Sequence, residues 1–177
     1  MTKVRDRAFA WVGIVIFTVS ALALSAAVII QQFATSNSTP ASKTTQTCSD
    51  TSAEPTITPP TPFIPSGPVS SLQVTNPTVG TGQTAQSGDC LVVKYYGTLA
   101  TTGKVFDENF TQPVGFAFTL TQGQVIQGWV EGLQGMKIGG IRRLVIPASL
   151  AYGSQATSGI PANSALVFVV KLLSIQS

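Results

Sequence analysis

The succession of apolar and polar positions divides the chain into three stretches of different character. Residues 9–30, FAWVGIVIFTVSALALSAAVII, pass without a single charge. About 20 apolar residues in a helix span the hydrocarbon core of a bilayer, so this run predicts a transmembrane helix. Lys3, Arg5 and Arg7 precede it. Such a basic flank keeps residues 1–8 cytoplasmic and sends the remainder of the chain out of the cytoplasm. The h-region of a cleaved signal peptide is only about 7–15 residues long, which favours an uncleaved signal anchor. Cleavage near Ala23 or Ser25 is the alternative.

Residues 31–68 have no apolar period. Thr, Ser and Pro dominate QQFATSNSTPASKTTQTCSDTSAEPTITPPTPFIPSGP, and large apolar residues are rare. A segment of this kind buries too little surface to offset its ordering entropy. It reads as a disordered stalk whose Pro-rich second half is stiff and extended.

From residue 69 to 177 the pattern turns globular. CLVVKYYGTL (90–99), GIRRLVIP (140–147), the alternating GFAFTL (115–120) and SALVFVVKLLSI (164–175) read as strands, separated by Gly- and Pro-containing turns. Residues 125–134 carry the apolar spacing of one short helix. An α+β domain follows, with several antiparallel strands around a single helix; its roughly 110 residues suffice for a core.

Composition narrows the chemistry. Only 10% of the 177 residues are charged, and the formal net charge is +3, against about 25% charged residues in an average globular protein. Four of those charges fall in the first seven positions and no basic run follows, which argues against nucleic acid as a partner. His is absent and Cys occurs twice, so the usual neutral-pH base and the usual metal clusters are missing. No cofactor and no metal are expected, and without a dimerisation arm the expected state is a monomer.

Cys48 lies in the stalk and Cys90 opens a strand. Outside the cytoplasm the compartment permits disulfides, and a Cys48–Cys90 bond would tie the second half of the stalk against the domain. Two free thiols, or a Cys48 paired with another chain, are the alternatives. Asn37 in NST and Asn109 in NFT match the glycosylation acceptor pattern, which matters only in a eukaryotic secretory pathway.

Aromatic residues recur through the globular stretch at Tyr95, Phe106, Phe116, Trp129, Tyr152 and Phe168. Core packing is the ordinary fate of each. Gly128 and Gly132 beside Trp129 read as leaving room around the indole. Asp107, directly after Phe106, brings a carboxylate that an aromatic cluster would normally exclude.

VVKYYGTL, GKVFDENF, GFAFTL, GQVIQGWVEGLQGMKIGGIRRLVIP, LAYG and IPANSALVFVVKLL stand in the order found in FKBP-type peptidyl-prolyl cis-trans isomerases, and residues 70–175 resemble that family. The resemblance implies a half-open antiparallel sheet wrapped around one short helix, with a hydrophobic pocket between them. It implies that Tyr95, Phe106, Phe116, Val125, Ile126, Trp129, Ile160 and Phe168 line the pocket, with Trp129 as its floor. Asp107 and Tyr152 would be the polar members, and the Ile126 N–H would bind a substrate carbonyl.

Gln112 stands where the family often has a basic partner for the Asp. Gln124 replaces a frequent acidic residue, and the loop SQATSGIP (154–161) lacks an aromatic or imidazole group. The implied function is a membrane-tethered isomerase of X-Pro bonds in exported polypeptides, held by residues 9–30 in a bacterial cell membrane and open to FK506- or rapamycin-type macrolides. A module that binds Pro-containing segments with little turnover is the alternative.

Overall fold

The computed structural model describes residues 48–49 and 56–176. The predicted N-terminus 1–8, the predicted anchor 9–30, and residues 31–47 and 50–55 of the stalk lie outside the described residues. Among the described residues no helix is long and apolar enough to cross a membrane.

Six strands and one short helix appear in the order β1 (Gln73–Thr78), β2 (Cys90–Leu99), β3 (Val105–Glu108), β4 (Phe116–Thr119), α1 (Gln127–Gly132), β5 (Ile141–Ile146) and β6 (Leu166–Gln176), with a single 3-10 turn at Ala148–Leu150. They form one antiparallel sheet in the order β1-β5-β6-β2-β3, and β4 pairs with β2 beside β3. The half-open sheet around one short helix is the expected architecture. β1 and β3 were not legible as strands: every residue of β1 is exposed and one is a Pro, and β3 is only four residues long.

Side chains alternate across a strand with period two, and both faces of this sheet are covered. Leu144, Ile146, Leu166, Phe168, Val170 and Leu172 point into the main core with Trp129 and Leu133 of the helical segment. Val145 and Val167 point the opposite way, into a second cluster with Ala100, Phe63 and Val69. That second cluster contains Phe63, which the composition assigned to the stalk. Phe63 packs on the outer face, with the Arg143 guanidinium 3.8 Å from its ring centroid, and the Ile57 N–H donates to the Phe110 carbonyl at 3.0 Å. Cys48 and Cys90 form a disulfide with Cα atoms 5.5 Å apart, as the sequence suggested. Residues 56–68 are therefore a strap laid along the outer face of the sheet.

The helix α1 is poor by itself. It has six residues, no side-chain cap at Ile126 and no acidic residue in its first turn. Tertiary contacts hold it. The Arg142 Nη1 donates to the carbonyls of Gly132 and Gln134, both at 2.8 Å, while its Nε donates to Asn76, so the orphan carbonyls at the helix end are satisfied. The glycines have a different reason from the one the sequence suggested. A Cβ on Gly128 would lie 2.4 Å from Ile146 Cγ2, and one on Gly132 would lie 2.8 Å from Leu144 Cδ2. They let the helix press onto β5; they do not clear space around the indole.

Candidate active site

The site is built by three departures from regular pairing. The first is a bulge between β2 and β3. Gly97 pairs with Asp107 and Thr98 with Val105, leaving Phe106 as the extra residue. A bulge re-aims side chains, and here both Phe106 and Asp107 line one cavity. Gly97 allows the crowding, because a Cβ there would lie 2.8 Å from both Phe106 and Phe168.

The second is a gap in the ladder along β2. β4 pairs with Cys90–Val93 and β3 with Tyr96–Thr98, so Lys94 and Tyr95 have no strand neighbour on that side. Asn109 supplies the missing partner. Its Oδ1 accepts from the Tyr95 N–H at 2.6 Å, its Nδ2 donates to the Val93 carbonyl at 3.2 Å, and its own N–H donates to the Tyr95 carbonyl at 3.0 Å. The match of Asn109 to a glycosylation acceptor thus falls on a buried, fully engaged amide.

The third is the short helix, which brings Trp129 to the base of the cavity. Its ring centroid lies 5.2 Å from Phe168, 5.5 Å from Tyr95, 5.3 Å from Phe118 and 6.3 Å from Phe116. Phe106 meets Phe168 edge-on at 5.5 Å. Such edge-to-face arrangements are favoured by the ring quadrupole. The Trp129 Nε1–H is buried without a hydrogen-bond partner, a cost of about 1–3 kcal/mol that the ring cluster must outweigh.

The cavity has a volume of about 170 Å³ and is lined by Tyr95, Phe106, Asp107, Phe116, Gln124, Val125, Ile126, Trp129, Tyr152 and Phe168. An engineered apolar cavity of about 150 Å³ accepts benzene, so a five-membered ring fits. Asp107 is its only charged lining residue. The Tyr95 hydroxyl donates to Asp107 Oδ2 at 2.7 Å. Burial foremost, and then this hydrogen bond, raise the Tyr95 phenol above its ordinary value. Tyr152 and Phe116, each 40% exposed, stand at the mouth. The Ile126 N–H, just before α1, donates to no described group.

Nine of the ten residues expected at the pocket line it. Ile160 does not: it is 4% exposed within the main core, and its backbone closes the turn with Thr157. Gln124, noted in the sequence only as a departure, is a lining residue. The run just before Val125 and Ile126 was the signal available for it. Among the described residues no group of three or more His, Cys, Asp or Glu could hold a metal.

Known proteins resemble this chain in sequence and in fold. FK506-binding protein 4 of Neurospora crassa is 54% identical over 98 residues, 55% of this chain and 21% of that protein. A peptidyl-prolyl cis-trans isomerase of Saccharomyces cerevisiae is 51% identical over 100 residues, 56% of this chain and 24% of its own length. The chain thus spans about a fifth to a quarter of the curated relatives it matches. The crystal structure of FkpA from Escherichia coli superposes with a TM-score of 0.55 at 44% identity, covering 59% of this chain and 48% of that one. A peptidyl-prolyl cis-trans isomerase from Pseudomonas syringae pv. tomato gives 0.53 at 34% identity, over 60% and 76%. Residues 81–173, more than half of the chain, match the FKBP-type peptidyl-prolyl cis-trans isomerase family, and the protein belongs to that family.

Proposed function

We propose that this protein catalyses cis-trans rotation of X-Pro bonds. The observation that carries the reading is the ring-lined cavity over Trp129 with a single carboxylate at its side. Rotation about a peptide bond must break amide resonance, a barrier of about 18–20 kcal/mol, and X-Pro bonds cross it in tens to hundreds of seconds unaided. No nucleophile is needed. The planar amide is more dipolar than the twisted one, so removing water and enclosing the bond in apolar rings raises the ground state more than the transition state. Trp129, Phe106, Phe168 and Tyr95 hold the pyrrolidine ring. The Ile126 N–H and the Tyr152 hydroxyl grip flanking carbonyls. Asp107 orients Tyr95 through their hydrogen bond.

A protease-coupled or NMR exchange assay on a short X-Pro peptide tests this. The protein accelerates exchange, and Asp107→Val and Tyr152→Phe each lower kcat/KM by about tenfold, the loss of one charge-assisted or polar contact. With no His in the chain, the rate is flat between about pH 6 and 8. Exchange at the thermal rate identifies a Pro-binding module instead, and a macrolide titration then measures the pocket alone.

The same proposal extends to place and clients. Residues 9–30 anchor the chain in a bacterial cell membrane, residues 1–8 stay cytoplasmic, and the domain works outside on exported polypeptides. The charge-free run after Lys3, Arg5 and Arg7 and the Cys48–Cys90 bond support this, since disulfides persist in oxidising compartments. Recovery of the full chain in the soluble fraction of disrupted cells overturns it.

A further inference from the structure

Lys94 is fully buried, at 0% exposure, and no step of the isomerisation uses it. It follows Val93 on β2, next to Tyr95, at the gap where neither β3 nor β4 reaches. Its Nζ donates to the carbonyl of Gln112 and, at 3.1 Å, to that of Val114. Pro113 between them, in the 109–115 loop, has no N–H to give a ladder, and the carbonyls on either side of it take the Lys94 donor. An ammonium offers three donors. A buried one is costly unless hydrogen-bonded, and a neutral chain of the same length would leave both carbonyls bare. The carboxyl of Glu108 begins the same loop, bonded to the Thr111 hydroxyl and N–H. It is held below its ordinary range by those bonds first and by the Lys94 charge last.

The loop is attached to the rest of the fold at several points. Asn109 fixes its start to β2, the strap grips Phe110 through Ile57, and Lys94 holds its end. Directly beyond that end stands Phe116, the wall of the pocket that meets Tyr95 at 5.7 Å and stacks on Phe118 at 5.3 Å. Phe116 is 40% exposed, so packing encloses only part of it.

We propose that Lys94 is a positioning residue for the pocket: by clamping the Gln112 and Val114 carbonyls from inside the fold, it fixes the backbone that sets Phe116 against Tyr95 and Trp129. The proposal rests on the isomerase reading, and it concerns how the wall of that site is held, not the bond being turned.

The test uses the full chain with its disulfide intact, assayed at a temperature where circular dichroism shows each variant folded. Because small misplacements of substrate-positioning groups cost up to about a hundredfold, Lys94→Met loses about tenfold in kcat/KM, chiefly through KM. Lys94→Arg, which keeps donors for both carbonyls, recovers most of that loss. Val74→Ala, on the edge strand β1 at the opposite end of the sheet from β3, changes kcat/KM by less than about twofold, since distant sites act independently. Retention of the wild-type rate by Lys94→Met, or an equal loss in Val74→Ala, overturns the proposal. Should Lys94→Met fail to fold, Lys94→Leu, which also lacks a donor, is read in its place with the same loss expected. The wild type supplies a further measurement: the NMR signal of the Lys94 ammonium shifts when an X-Pro peptide saturates the pocket, and an unmoved signal also overturns it. Absence of activity in the wild type is a different result, and it rejects the isomerase reading itself.

Discussion

At the scale of the residue, the contact most open to measurement is that between Tyr95 and Asp107. Burial and the 2.7 Å hydrogen bond raise the phenol above its ordinary value. The folded state therefore keeps the phenol neutral at pH values where the unfolded chain would ionise it. Stability from this source is complete below about pH 10, the unfolded value, and is lost as pH climbs past it. Thermal melts of the wild type and Tyr95→Phe compared from pH 8 to 11 should converge at the alkaline end, because only the wild type loses this contribution. Parallel curves would show that the phenol is not specially held. Tyr95 and Asp107 were legible in the sequence because long ordered motifs carried them. Lys94 was not: within CLVVKYYGTL it looks like a polar residue turned to water, and only the loop folded over it reveals its burial.

At the scale of the element, the helix α1 shows how tertiary contact overrides propensity. Ala is favoured over Gly inside a helix by about 1 kcal/mol, so propensity alone says that Gly128→Ala stabilises. The 2.4 Å approach of the added Cβ to Ile146 Cγ2 says the reverse, and overpacking a tight core costs about 1–3 kcal/mol. The close contact should win: Gly128→Ala lowers the urea midpoint, whereas a raised midpoint would mean that α1 can lift from β5 without loss. The sequence contained these glycines but not their neighbour, since nothing in VIQGWVEGLQ names the strand against which it lies. The four strands read from the pattern are rich in β-branched and apolar residues, and all four are present. β3 escaped because VFDE is only four residues long and none of the four lies in the buried core.

At the scale of the whole molecule, the strap joins what composition had separated. Residues 56–68 lack an apolar period, and Thr and Pro there do suggest a free stalk. What docks them is external to their own sequence: Val145, Val167 and Ala100 form an apolar stripe for Phe63, and Cys90 receives Cys48 across 42 positions. Closing a loop of that length stabilises by about 2–4 kcal/mol. The Cys48→Ser, Cys90→Ser double variant should lose that much in non-reducing urea titrations, and residues 56–68 should become open to proteolysis while the pocket keeps its macrolide affinity. An unchanged midpoint would leave the strap held by Phe63 and Ile57 alone.

Cys90 begins β2 directly opposite Gln176 at the end of β6, and the Gln176 side chain reaches the Ser49 carbonyl at 3.2 Å. Ser49, Cys90 and Gln176 thus gather at the sulfur bridge. Opening the bridge with a reductant would therefore untie residues 56–68 at one end only, while the ladder that sets Cys90 against Gln176 holds the rim of the sheet in place.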